Sequence, residues 1–185
     1  MVRSLAILMG ISAVLAGQGQ QQGDGAKFTP GGKLIRPVGY REWIWLSSGL
    51  GMSYGPLAQD SQDPNPTFDN VFVNPSAYRA FRQSGAWPDG TVLVLEVRSS
   101  TGKGSINQGG HFQSDLRGIE LEVKDKGRWT FYGFNGAAET GSAIPASASC
   151  YTCHAQHGAV DNTFVQFYPT LLEVAKQKGT LKTSE

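Results

Sequence analysis

The chain has 185 residues, 39% hydrophobic and 17% charged, with 24 Gly and 9 Pro. That composition fits one globular, loop-rich domain with a real core and argues against a helical bundle. The formal charge is +1 with no run of like charges. Nucleic acid is therefore a poor partner, because binding it rests on clustered cations.

In chain order, residues 1–16 read as a secretory signal peptide. Arg3 is a short positive start, residues 5–15 are an apolar run, and Val14 and Ala16 are the small residues before a cleavage point. The run is too short for a membrane span, which needs about 20 residues. Removing these residues takes away Arg3 and no acid, leaving 15 Lys+Arg against 15 Asp+Glu. The mature chain is expected in the periplasm or outside the cell, with no membrane span. Residues 17–27 are Gly- and Gln-rich and read as a flexible linker. The domain proper is expected over 28–180.

Residues 41–47 read as a strand with apolar residues on both faces, Trp43 and Trp45 on one, Ile44 and Leu46 on the other. A long loop follows over 49–65, then a short strand over 70–74. Asn74-Pro75 opens a helix, with Asn74 as its cap and Pro75 at its first position. Tyr78 and Phe81 face the core, and Gly85 ends the helix. Asp89-Gly90 is a turn before a strand over 91–98, and 99–110 is a Gly-rich connection. Residues 116–124 alternate, with Ile119, Leu121 and Val123 opposite Glu120, Glu122 and Lys124. Residues 128–134 form an aromatic-rich strand. Residues 146–157 form a helical turn, with Ser147 or Ser149 as cap. A last helix starts at Tyr168-Pro169, presents Leu171, Val174 and Ala175 on one face, and stops at Gly179. The fold class is thus α+β, a mainly antiparallel sheet with a few short helices.

Both cysteines lie in one motif, Cys150-Tyr151-Thr152-Cys153-His154. A thioredoxin-type pair wants a βαβ context, and a structural zinc site needs four ligands. A plain disulfide suits an oxidising compartment. Covalent haem is the favoured reading. Two thiols one helical turn apart add to the two haem vinyl groups, and the next His becomes the proximal iron ligand. A sixth ligand is less evident. Met52 lies in a Gly-rich loop, His111 follows Gly109-Gly110, and His157 sits near the same haem face as His154. Each is more often an ordinary surface residue, so an open distal site is expected.

The chain also resembles the cytochrome P-460 family, which includes the cytochromes c′-beta. The resemblance is carried by Tyr40-Arg41-Glu42-Trp43, by Phe72-Val73-Asn74-Pro75 with Tyr78, by Asp89-Gly90-Thr91-Val92, by the Cys150–His154 motif and by Phe167-Tyr168-Pro169. It implies a small, largely antiparallel β domain, usually a homodimer, with one haem c. Cys150 and Cys153 would form the thioethers and His154 would bind the iron. P-460 members oxidise hydroxylamine and nitric oxide, with a Lys joined to the haem ring. That Lys position aligns with Leu95, which cannot form the link, and Lys103 lies beyond the strand. The c′-beta members lack the Lys and bind nitric oxide or carbon monoxide at a five-coordinate iron in an apolar distal pocket, which Leu93 and Leu95 suit.

Glu120 matches a distal carboxylate that accepts protons in catalytic members. It also fits a solvated polar face shared with Glu122 and Lys124. The expected function is therefore a nitric-oxide-binding, c′-beta-like haem protein. A hydroxylamine or nitric oxide oxidoreductase is the alternative, and an electron carrier with a partner cytochrome is the third reading.

Overall fold

The computed structural model describes residues 23–53, 64–136 and 138–182. The expected signal peptide and most of the expected linker lie outside these residues. Among the described residues, eight strands form one antiparallel sheet. They are β1 (Lys27–Phe28), β2 (Leu34–Ile35), β3 (Ile44–Leu50), β4 (Phe68–Val73), β5 (Val92–Thr101), β6 (Phe112–Asp125), β7 (Arg128–Phe134) and β8 (Thr140–Ala143). Their order is β1-β2-β8-β7-β6-β5-β4-β3. Three helices accompany them: α1 (Pro75–Ser84), α2 (Ser149–His157) and α3 (Pro169–Lys178). This is the α+β, mainly antiparallel architecture expected.

The apolar run at the start of β5 dictates the layering. Val92, Leu93 and Val94 leave no polar face, so both sides of the sheet must be covered. On one side Leu46, Val73, Leu93, Trp129 and Phe131 pack with Phe81 of α1 and Leu171 and Ala175 of α3. On the other, Val92, Val94, Ile119, Leu121 and Tyr132 pack with Leu34 and Tyr40. Each layer is a contiguous set of buried apolar side chains, which is the main source of stability for a sheet.

Several local expectations need correction. The strand expected from residue 41 begins at Ile44, because Tyr40–Glu42 is a short 3-10 turn. A buried carboxylate holds that turn. The Tyr40 hydroxyl donates to Glu96 Oε2, Arg41 Nε donates to the same oxygen at 2.8 Å, and Arg98 donates to Oε1 at 3.3 Å. Trp45 is 53% exposed, since β3 is the outermost strand and bulges between Trp45 and Ser47. The strand expected over 70–74 is Phe68–Val73, and β5 continues through Thr101 into the expected Gly-rich connection.

Asn74 sits before α1 but does not cap it with its side chain. Its Oδ1 accepts from Val92 N–H at 2.9 Å and its amide donates to Gly90 O at 3.1 Å, which ties α1 to β5. The capping oxygens come from Asp24, which accepts from Ser76 N–H at 2.7 Å and from Ser76 Oγ at 2.6 Å. Asp24 was expected in a linker with nothing to pack on; the orphan N–H groups of α1 give it a partner. Neither Ser147 nor Ser149 caps α2, whose N-cap residue is Ala148. Gly85 and Gly179 end α1 and α3 in the left-handed conformation, as expected.

Candidate functional site

Helix α2 carries Cys150, Cys153 and His154 on its first turns. Both thiols are free and partly exposed. Tyr151 between them pins the helix to the sheet. Its hydroxyl accepts from Phe131 N–H and donates to Ile144 O, each at 3.2 Å, and its ring meets Phe131 edge-on at 4.5 Å.

The His154 ring is clamped between Phe131, 4.7 Å away, and Phe164, 4.4 Å away. Its Nδ1 lies 3.0 Å from the carbonyl oxygen of Asn162. A carbonyl only accepts, so the proton is on Nδ1 and the Nε2 lone pair is free. Burial lowers the ring's pKa, and the bond to Asn162 only partly offsets this, so the ring is held neutral. A neutral imidazole with its other nitrogen hydrogen bonded is the form that ligates metals. Among the described residues, no three His, Cys, Asp or Glu side chains converge into a protein-only metal cage. A bare zinc centre would therefore lack ligands.

The sheet face under α2 is set by strand register. Opposed residues on neighbouring antiparallel strands project to the same side. Leu93 is paired with Glu122 and Leu95 with Glu120 across β5 and β6. Glu122 is in turn opposite Phe131, and Glu120 opposite Gly133. The row Glu120, Glu122, Lys124 therefore faces the helices. Of this row Glu120 is exposed, whereas Glu122 and Lys124 are partly covered; the opposite row, Ile119, Leu121 and Val123, belongs to the second core.

Glu120 is exposed and lines an open cleft of about 540 Å³ with Val97, Gly118, Gly133, Ile144 and Pro145. Ile144 and Pro145 lead directly into α2. Lys33, before β2, reaches the same cleft. A Cβ on Gly118 would meet nothing within 4 Å, and one on Gly133 would meet only Ile144 at 3.9 Å. The two glycines leave those positions of the cleft without side chains. Leu95 is half-buried beside Glu120, whereas Leu93 is 3% exposed and packed in the core. Neither leucine lines the cleft itself.

Glu122 differs from Glu120. Its Oε1 lies 3.7 Å from His154 Nε2, and its Oε2 is shut off from solvent with no hydrogen-bond partner. Burial, and secondarily the charge of Glu120, push its pKa up to about 8. Nothing in the sequence marks Glu122 out; the alternation of β6 shows two unlike faces but not which one is covered.

The other candidate ligands are elsewhere. Met52 folds back on Gly49, whose Cβ would come within 2.2 Å of its sulfur. His111 Nε2 is 2.7 Å from Pro64 O, beyond the start of β6 and roughly 30 Å of strand from Glu120. His157 is exposed at the end of α2.

These residues fit a haem. Two thiols one turn apart and a neutral His with a free Nε2 match its vinyl groups and iron, and the open cleft at Glu120 ends at Ile144 and Pro145, shortly before α2. The family model described as Cytochrome P460 matches residues 37–165. No curated protein matches the chain.

Proposed function

The chain belongs to the cytochrome P460 family, and from that premise we propose a periplasmic mono-haem c-type cytochrome that binds nitric oxide or a similar small diatomic. Family membership carries the haem itself. The haem supplies the iron that takes up the diatomic. In the proposal the Cys150 and Cys153 thiols add across its two vinyl groups, each S–H hydrogen going to the neighbouring vinyl carbon. His154 gives Nε2 to the iron, and Asn162 and the two Phe rings hold the imidazole in orientation.

The observation that carries the c′-beta-like reading is Leu95. It is the β5 residue abreast of Glu120, and the family resemblance aligns it with the Lys that P-460 enzymes join to the haem. A leucine side chain cannot bond to the macrocycle. A simple electron carrier is disfavoured by Met52 and His111, which are both engaged away from α2.

One observation favours a second reading. Glu120 opens into the cleft, where it would serve as a proton acceptor for a substrate such as hydroxylamine. Under that reading the protein is a P-460-type oxidoreductase, and Lys33 is the amine at the cleft.

The absorption spectrum of the reduced protein separates the two. The c′-beta-like reading expects an ordinary high-spin Soret band that shifts on adding nitric oxide. A strongly red-shifted band lost in Lys33→Ala would overturn it. We further propose that the protein works as a homodimer and exchanges electrons with a partner cytochrome. Among the described residues no helix is long and apolar enough to cross a membrane.

A further inference from the structure

We infer that Glu122 provides a sixth, oxygen ligand to the resting ferric iron, opposite His154, and has to leave before another ligand binds. The inference rests on the haem reading above.

Three observations carry it. The first is spacing. His154 Nε2 and Glu122 Oε1 are 3.7 Å apart. That is too long for a hydrogen bond, which falls at about 2.7–3.2 Å. Donors on opposite sides of one ion stand about 4.0–4.4 Å apart, since nitrogen and carboxylate bonds to such ions are each about 2.0–2.2 Å, so the pair needs to part by only a few tenths of an ångström to take an ion between them.

The second is the orphaned oxygen. Glu122 Oε2 is buried without a partner. With no positive centre nearby, burial holds this carboxyl protonated, and a cation beside it would stabilise its carboxylate form. The cation next along its strand face, Lys124, is already bound to Asp161 at 2.6 Å and to Trp87 O at 2.7 Å. An iron bound by His154 would be such a cation.

The third is position. Glu122 sits on the central strand β6, flanked by Leu93 and Phe131, so it is held under α2. Glu120, two residues along the same face, is exposed. The two carboxylates thus divide the work: Glu122 caps the iron and Glu120 lines the cleft.

A hard, anionic oxygen favours ferric over ferrous iron, because the Coulombic attraction grows with the ion's charge. The cap is therefore firm in the oxidised protein and weak in the reduced one. A diatomic that prefers ferrous iron meets an open position, while anions that bind ferric iron compete with Glu122.

The test compares ferric wild type, Glu122→Leu, Glu122→Gln and Glu120→Gln, each first checked for bound haem by intact mass. A haem-free wild type would overturn the underlying reading and this inference together. With haem present, resonance Raman spectra of the wild type should show six-coordinate high-spin iron. Its electron paramagnetic resonance lines should not broaden in water enriched in the magnetic oxygen isotope. Glu122→Leu should become five-coordinate, and Glu120→Gln should not.

If the cap is closed about nine-tenths of the time, azide should bind ferric Glu122→Leu about ten-fold more tightly than wild type. Should Glu122→Leu fail to fold, the isosteric Glu122→Gln should show the same change in a smaller degree. A five-coordinate wild type, broadening by labelled water, or azide affinity unchanged in the variants would overturn the inference.

Discussion

The Nδ1–H of His154 donates to the carbonyl oxygen of Asn162, 3.0 Å away. That carbonyl is aimed by a tight turn. Asp161 and Asn162 both adopt left-handed backbone, at φ 48° and 60°, and Val160 and Thr163 close the turn by pairing with each other. Asp and Asn tolerate this conformation better than other residues with a side chain. Trp87 fastens the turn to the core, its Nε1 donating to Thr163 Oγ1 at 2.9 Å. The ligand-bearing helix is thus oriented by backbone eight residues further on.

Gly158 is where that arrangement is most vulnerable. A Cβ there would come within 2.5 Å of the Asn162 carbonyl carbon and 2.7 Å of the His154 carbonyl oxygen. Its φ of −69° is ordinary, so the requirement is space and not conformation. Both obstacles are backbone, so the turn or the helix has to move. Gly158→Ala should cost about 1–3 kcal/mol, the usual range for overpacking. It should also loosen His154 in its clamp. Urea unfolding measures the first effect and the iron–histidine Raman band the second; a variant unchanged in both contradicts the account.

Glu96 predicts an acid-sensitive core. Burial alone would raise its pKa, but hydrogen bonds from Tyr40 and Arg41 and the charges of Arg41 and Arg98 outweigh this and hold it below 4.5. A carboxylate with a depressed folded pKa stabilises the fold above its unfolded pKa. That stabilisation is lost as pH falls through the folded value, because the unfolded chain then binds the extra proton. Glu96→Gln should lose about 1.5–3 kcal/mol at neutral pH, the worth of a hydrogen bond to a charged group. The gap to wild type should narrow below about pH 4. Urea unfolding across that range tests it, and a gap independent of pH would count against the network.

Asp24 should behave as the helix cap that it replaces Asn74 in being. The Ser76 hydroxyl and N–H hold its carboxyl below the usual range despite partial burial, which acts the other way. Asp24→Ala should cost about 1 kcal/mol, the typical loss of a cap. Hydrogen exchange at Ser76 N–H should quicken. Asn74→Ala should do more damage to the α1–β5 junction than to the cap, because its side chain serves Val92 and Gly90.

Much of this was legible in the residues. Gly85, Gly179 and the aromatic run of β7 mark their elements through local chemistry, and the local chemistry holds in the fold. Strands β1, β2 and β8 have two, two and four residues, too few to show a period. Asp24 was missed because its partner, Ser76, is distant in sequence. The row Glu120, Glu122, Lys124 fitted either a solvated face or a covered one, because alternation separates two faces without saying what lies over either; Glu120 is exposed and its two neighbours are partly covered. Cys150, Cys153 and His154 stood out because their chemistry is compressed into one helical turn. Glu122, brought to His154 only by the β5–β6–β7 register and by α2, had no such signal.

The central claim is that one haem is held covalently by Cys150 and Cys153. Intact mass of the denatured protein, made in cells that export it and attach c-type haem, tests it most directly. The account predicts the polypeptide from about Gly17 plus the mass of one haem, and the bare polypeptide mass in a double Cys150→Ala, Cys153→Ala variant. A wild-type mass equal to the polypeptide alone, in preparations that have passed through that machinery, would contradict it.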